Sequence, residues 1–333
     1  MAGNTKLRLL YILEILSKYS DEDHLLNSSE IKEILEKEHG VSSDRKTIYE
    51  CLKNLEEYGY DIVKDDSKKG VFLGTREFEL PEVRLMIDAV QSADFISAKK
   101  TKAILKKFSK YASVHQYKRI EKQVYIDNRN KSDNESVLYT IDELHNAIIN
   151  KQQVKIVYRK RKIFDDIKPH YEEKVMVINP YSLIWSDDHY YLVGNHTKYE
   201  NLIHLRVDRI KSVEITQTRA RPVSDFTNSA TFDAAEYSNK HLSMFSGDVR
   251  PVEFICSNEI VEEFLDEFGE KITPYPFDEK SFSAKVDLAI TQGLVSKIMQ
   301  FGDKITVKGP KVLKDMIIDK SKSILDLYDS QKW

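Results

Sequence analysis

Two stretches of the chain carry side chains that could do chemistry, and in both the chemistry is the holding of negative charge. In Asn179–Thr216 (NPYSLIWSDDHYYLVGNHTKYENLIHLRVDRIKSVEIT), strand parity puts His204, Arg206 and Asp208 on one face of the run Leu202–Ile210, with Leu205 and Val207 on the other. The same parity separates Tyr191 and Val193 from Tyr190 and Leu192. A small sheet with one apolar face and one face of Tyr, His and Arg suits an anion, because the planar guanidinium pairs bidentately with phosphate. The second stretch is Asp44–Tyr58. Here Ile48, Cys51, Leu52 and Leu55 fall in one narrow helical arc, and Arg45, Lys46, Tyr49, Glu50 and Lys53 in the opposite arc. A basic and aromatic arc of this kind can enter a major groove. On a lone helix it would be a solvated face.

The elements that must aim these groups can be read from periodicity and caps. In the first stretch, Pro180–Trp185 and Tyr190–Val193 are strands joined by the turn Ser186-Asp187-Asp188, and a loop at Asn195-His196-Thr197 leads to the third run. Ahead of the second stretch, Leu7, Leu10, Tyr11, Leu13, Ile15 and Leu16 predict a helix over Lys6–Tyr19. Asn27 and Glu30 form a capping box for a second helix ended by Gly40. Ser42 or Ser43 is expected to cap the third helix, which Gly59 stops. A hairpin follows, from Asp61–Val63 to Val71–Leu73, with Lys68 and Lys69 at its tip. Three helices and a basic-tipped hairpin are what a winged helix-turn-helix needs: the third helix reads the groove and the tip touches phosphate. The duplex-contacting candidates are therefore Ser43, Arg45, Lys46, Thr47, Tyr49 and Lys53, with Lys68 and Lys69 on the wing.

Composition sets the bounds. The chain has 333 residues, 41% apolar and 32% charged, which suits two or three domains with small cores. A formal net charge of −3 leaves no chain-wide nucleic-acid footprint, so any such evidence must be local. Cys51 and Cys256 are too few for a disulfide framework or a CxxC metal site. The absence of a long apolar run and of a leader-like start predicts a cytoplasmic protein.

Tyr190-Tyr191-Leu192-Val193-Gly194 followed by Leu205-Arg206-Val207-Asp208-Arg209-Ile210 resembles the signature of a WYL domain. Tyr190 stands where that family usually has Trp, and Ile203 where many members have Arg. The run Asp44–Ile62 (DRKTIYECLKNLEEYGYDI) is similar to the winged helix that commonly precedes such domains. The resemblance implies a multidomain α+β chain: a winged helix-turn-helix over 1–78, a helical linker over 79–136, an SH3-like (Sm-type) β-barrel WYL domain over 137–217 and a small α+β C-terminal (WCX-like) domain over 218–333. It further implies an effector, often a nucleic-acid fragment or nucleotide, held by Tyr181, Tyr191, His204, Arg206 and Arg209. Of these, Arg209 beside Asp208 suggests an internal ion pair, and the tyrosines also suit core packing.

The remaining segments frame this reading. Pro81 opens a helix with Val83, Met86, Ile87 and Val90 on its packed side. Lys99–Lys122 sets nine cations against Glu121, giving a solvated face, a second phosphate surface or a signalling lever. Ile104, Leu105 and Phe108 offer a contact to a second subunit, which would suit a dimer on a two-fold operator. Asp127–Ser136 reads as a boundary loop, followed by a helix packed through Leu144, Ile148 and Ile149. The basic run Arg159–Lys162 reads as a turn. The C-terminal order is β-α-β-β-α-β. No GxGxxG, GxxxxGK[ST], HExxH or GxSxG motif implies an enzyme, and no cofactor or metal is expected. His189, His196 and His204 lack partners at ligand spacing, and Asp187, Asp188 and Asp208 read as ordinary turn acids rather than a nuclease centre. The expected partners are duplex DNA, a second copy of the chain and a nucleic-acid or nucleotide effector. The rival is a sensing module that binds ligand or protein but not duplex DNA.

Overall fold

The computed structural model describes residues 5–65, 67, 69–122, 131–162, 170–227 and 229–329. Two compact units emerge, Met1–Glu135 and Ser136–Trp333.

In the first unit, α1 (Arg8–Tyr19), α2 (Ser28–His39) and α3 (Arg45–Tyr58) bury Ile12, Ile15, Leu16, Ile31, Leu35, Ile48, Leu52 and Leu55 against one another. The capping box forms: Asn27 Oδ1 accepts from the Glu30 amide at 3.0 Å, and the Asn27 amide donates to Glu30 Oε2 at 2.8 Å. Gly40 ends α2 at φ 64°, a left-handed position that glycine adopts without strain. The α3 cap is Asp44 rather than Ser42 or Ser43, because its carboxylate accepts from the Thr47 amide at 2.8 Å and so stabilises the positive end of the helix. The hairpin β1 (Ile62–Asp65) and β2 (Gly70–Leu73) follows, with Val71 also bridged to Leu26. Next, α4 (Leu80–Ser92), α5 (Ala98–Phe108) and α6 (Val114–Glu121) enclose Val83, Ile87, Leu105 and Ile120. Of Ile104, Leu105 and Phe108, anticipated at a subunit contact, Leu105 is buried in this cluster, Phe108 is half-buried against it, and Ile104 is half-buried.

A buried node ties this helical part to the loop after α1. Asp21 accepts from the Ser113 hydroxyl and contacts His24 Nδ1 at 2.7 Å, while Arg76 donates to the carbonyls of Ser17 (2.8 Å) and Ser20 (2.6 Å). Burial alone would raise the Asp21 pKa, but the hydrogen bonds from Ser113 and His24 outweigh it and hold the carboxyl below its ordinary value.

In the second unit, α7 (Val137–Ile149) packs Val137, Thr140, Leu144 and Ala147 inward, whereas Ile149 is exposed. Five strands follow: β3 (Gln152–Lys162), β4 (His170–Ser186), β5 (His189–His196), β6 (Leu202–Arg206) and β7 (Ile210–Arg219). They form an antiparallel sheet in the order β6-β5-β4-β3-β7. Arg159–Lys162 continue β3 rather than turning, with Arg159 paired to Glu173 at 3.0 Å and Lys162 to Glu172 at 3.0 Å across β4. Lys168-Pro169, which the sequence reads as leading back toward Asn179, lies outside the described residues.

β6 and β7 are opposite edges of this sheet, yet only the 3₁₀ turn Val207–Arg209 joins them. Five flat strands would set the edges ~19 Å apart, and three residues span ~10 Å at most. The sheet must therefore curl. No ladder joins β6 to β7 among the described residues, so the barrel expected here is curled but not closed.

Beyond β7, α8 (Ala234–Lys240) precedes a four-stranded antiparallel sheet. It comprises β8 (Val249–Ser257), β9 (Tyr275–Pro276), β10 (Ser281–Ala289) and β11 (Ile305–Gly309) in the order β11-β8-β10-β9, and α9 (Val261–Phe268) and α10 (Gln292–Gln300) supply the expected helices. α11 (Lys311–Asp329) follows. Alternate residues Val252, Phe254, Cys256, Phe282, Ala284 and Leu288 form one apolar face, covered by Phe264, Leu294 and Leu313 of the helices. Both cysteines are free, and no helix among the described residues is long and apolar enough to cross a membrane.

Candidate functional site

On α3, Ile48, Leu52 and Leu55 anchor the helix to its core, so the opposite arc is held out rigidly. Arg45, Lys46, Tyr49 and Lys53 are all exposed there. The Arg45 Nη2 donates to the Tyr49 hydroxyl at 3.2 Å, and this contact lowers the tyrosine pKa. Lys53 reaches Glu57 at 3.5 Å, a loose surface pair. Thr47 turns its hydroxyl back to Asp44 at 3.1 Å, and Ser43 is buried, so these two serve the helix start. Lys69 is exposed at the hairpin tip with φ 52°. Lys68 lies outside the described residues.

In the second unit, register decides which candidates meet. Tyr191 stands opposite Arg206, and Val193 opposite His204, so Tyr191, His204 and Arg206 share a face. On its other side β5 lies close against β4 at Gly194, where a Cβ would lie 2.6 Å from the Asn179 carbonyl oxygen. The strand run expected to continue to Ile210 stops at Arg206. The turn that replaces it swings Asp208 under Arg206, which donates from Nε at 3.1 Å and from Nη2 at 2.7 Å. The partner of Asp208 is thus Arg206 rather than the neighbouring Arg209, which is exposed and lies beside Tyr158 and Tyr191. Tyr181 stands apart, at the bulge between Pro180 and Ser182. Its ring lies 6.0 Å from Phe226, and its buried hydroxyl has no hydrogen-bond partner among the described residues. Burial raises its pKa.

His204 is closed in by residues from beyond the strand meander. Its Nε2 meets the Tyr237 hydroxyl at 2.9 Å and its Nδ1 meets Ser246 Oγ at 3.1 Å, while the Tyr237 ring stacks on His241 at 3.9 Å. Burial pushes His204 down to about 4, so the imidazole is neutral across the physiological range. Tyr237, His241 and Ser246 were not singled out in the sequence. The available signal was the i,i+4 spacing of Tyr237 and His241 in a run started by the N-cap residue Asp233. Tyr237, His241 and Ser246 also line a cleft of about 790 Å³, whose wall includes Leu202, Phe226 and Phe232.

Beneath the face, Asn179 and Asn195 are fully buried and paired. Asn179 Oδ1 accepts from Gln153 Nε2 at 2.9 Å and from the Arg221 amide at 3.0 Å, and its Nδ2 donates to Asn195 Oδ1 at 2.9 Å. Asn195 Nδ2 in turn holds the carbonyls of Tyr199 (2.7 Å) and Asn201 (3.1 Å). This network locks three strands and two loops together. Among the described residues no group of His, Cys, Asp and Glu could hold a metal.

A helix, a curled five-stranded antiparallel sheet and a buried amide lock define a small α+β module with a polar, ring-bearing face. Residues 139–215, from α7 into β7, match the family model of the WYL domain. Among solved structures, the chain is similar to the proteasome accessory factor B/C (PafBC) of Arthrobacter aurescens, at 16% identity and a TM-score of 0.29 over 99% of this chain and 50% of that one. It thus spans half the length of the PafBC chain. A CRISPR Cas-related protein aligns at 14% identity and a TM-score of 0.38, over 100% of this chain and 89% of that one. No curated protein matches the chain.

Proposed function

We propose that the protein is a transcriptional regulator that binds duplex DNA as a homodimer and adjusts that binding through its WYL domain. The observation that carries this reading is the exposed arc of α3, where Arg45, Lys46, Tyr49 and Lys53 stand on a helix anchored by three buried aliphatic residues. On this reading residues 1–78 form a winged helix-turn-helix. Its third helix enters the major groove, and the hairpin tip at Lys69 meets phosphate. The second unit acts as the sensor, a curled, open Sm-like sheet followed by a WCX-like domain.

The effector is a nucleic-acid fragment or nucleotide, held on the face of Tyr191, His204 and Arg206. Arg206 engages its phosphate by exchanging the Asp208 carboxylate for it, and a ring stacks on its base. The effector regulates by binding the two DNA-affinity states unequally. The protein works by binding rather than by catalysis in the cytoplasm: His204 touches a serine, but a base titrating near 4 is poorly matched to proton abstraction at neutral pH. A second reading, a sensing module that does not bind duplex, draws on the overall net charge of −3.

Fluorescence-anisotropy titration separates the two. The probe is a duplex from immediately upstream of the protein's own gene, set against a scrambled duplex at two salt concentrations. Regulator behaviour is preferential, salt-sensitive binding that Lys46→Ala/Tyr49→Ala abolishes. Absence of binding to either duplex favours the second reading.

A further inference from the structure

The helices α5 and α6 carry a charge imbalance that folding does not ask for. From Lys99 to Lys122 there are nine cations and one carboxylate, in a chain whose net charge is −3. Elsewhere amphipathic helices mix their signs: α2 sets Lys32 before Glu36 and Glu33 before Lys37, pairs that support a helix at this spacing. On α5 the equivalent pair is Lys102–Lys106, which repels. The first turn of α5 also holds Lys99 and Lys100 and no acid, where the helix dipole favours carboxylates. Two penalties of one sign fall on a single surface.

That surface is rigid and largely uncompensated. Thr101 and Leu105 are buried, and Leu105 packs with Val83, Ile87 and Ile120, so the opposite side of α5 faces outward. Lys99 reaches Glu135 at 3.1 Å and Arg119 reaches Asp23 at 3.2 Å. Lys102, Lys106, Lys107, Lys118 and Lys122 are exposed and have no carboxylate partner among the described residues.

We infer that this basic face is a second contact for the phosphate backbone of the duplex that α3 reads. The inference rests on the DNA-binding function proposed for α3 and extends its footprint. Lys99, Lys102 and Lys106 recur every three or four residues, ~4.5–6 Å apart along α5, and Lys110 follows just beyond its end. A duplex offers one negative charge per ~1.7 Å of its axis, so such a row spans several phosphates. No large apolar side chain of α5 is exposed, and the exposed one on α6 is Val114, at the helix start. An acidic protein partner would need one as the anchor of a desolvated interface, whereas a phosphate backbone needs only cations.

The test uses the full chain and the variant Lys102→Gln/Lys106→Gln/Lys107→Gln/Lys110→Gln, titrated with upstream and scrambled duplexes across a salt series. The slope of log K against log salt should become shallower by about 2 to 3, at ~0.9 for each phosphate that is no longer neutralised. Affinity for both duplexes should fall by the same factor, on the order of tenfold or more at low salt, leaving the preference between them intact. Tyr49→Ala should do the reverse, losing the preference while keeping most of the slope. The thermal midpoint of the four-lysine variant should match or exceed that of the parent, because like charges have been removed.

A parent-like slope in a parent that binds duplex overturns the inference and leaves α3 as the reader. A parent that binds no duplex removes both. If polyglutamate binds the parent but not the variant while the duplex slope is unchanged, the face belongs to an acidic protein.

Discussion

Arg45 on α3 and Arg206 on β6 each lie near a tyrosine, and they use their hydrogen bonds differently. Arg45 is exposed and touches the Tyr49 hydroxyl at 3.2 Å, leaving most of its donors facing water. Arg206 is 24% exposed, lies across from Tyr191, and closes both arms of its fork on Asp208, which is 9% exposed. The difference follows from burial. An exposed guanidinium keeps its hydration and needs no counter-charge, whereas a half-buried one must be paired or it destabilises the fold. Open cations can meet a ligand directly. Closed ones meet it only by exchange. The first unit therefore presents its chemistry, and the second holds its chemistry in internal pairs.

The largest effect should come from breaking the closed arrangement at its base. Asn179→Ala leaves Gln153 Nε2, the Arg221 amide and Asn195 Oδ1 without their partner. At ~1–3 kcal/mol for each buried polar group left unpaired, the second unit should lose on the order of 4 kcal/mol. Urea unfolding should show a lower midpoint at unchanged m-value. Lys46→Ala, on the open surface, should shift stability by less than ~0.5 kcal/mol while weakening DNA binding. Equal losses of stability in the two variants would erase the distinction.

Acid should separate the units next. His204 titrates near pH 4 in the fold because burial disfavours its charged form, and an unfolded histidine titrates near ~6.5. The unfolded chain therefore takes up the proton first as pH falls. Stability from this group is complete above ~6.5 and declines toward pH 4 by ~1.4 kcal/mol per pH unit, about 3 kcal/mol in all. His241, lowered by burial, adds in the same direction. In the first unit Asp21 runs the same way but in a lower window: its depressed pKa keeps its contribution intact until pH falls through the ordinary carboxylate range. Hydrogen exchange at pH 7 and near pH 4.5 should show the second unit loosening first. His204→Gln should flatten that dependence, and an equally steep loss in the variant would reassign it to other groups.

Much of this contrast could be read in the chain beforehand, and the part that could not has a physical reason. The α2 capping box, Gly40 and Gly59 as helix stops, and the buried arc of α3 are local patterns, and local patterns survive folding. The C-terminal strand and helix order was legible for the same reason. Asp44 took the α3 cap from the serines because three side-chain acceptors in three consecutive residues compete and geometry picks the winner. The end of β6 at Arg206 was hidden, since parity continues on paper through Val207 and Asp208 while the sheet must curl there. The cover over His204 was hidden more deeply. Tyr237 and Ser246 lie 33 and 42 residues away, and no local period links them to a strand.

The smallest predicted effect tests whether closure at Arg206 is regulatory or only structural. Asp208→Asn keeps the shape of the turn and one acceptor but removes the charge that holds the guanidinium. If Arg206 engages an anionic effector, the ligand no longer competes with a carboxylate. Affinity for a phosphate-bearing oligonucleotide should rise about tenfold, or ~1.4 kcal/mol, a modest part of a charge-assisted hydrogen bond. Arg206→Ala should abolish the same binding, since it removes the fork itself. Isothermal titration calorimetry of both variants with one short single-stranded oligonucleotide reads this directly. A rise in one and a loss in the other would make Arg206 behave like Arg45, a cation open to its ligand. Parent-like affinity in both would leave the Arg206–Asp208 pair as a strut that neutralises a charge where the chain turns from β6 into β7, and would move the effector to another face.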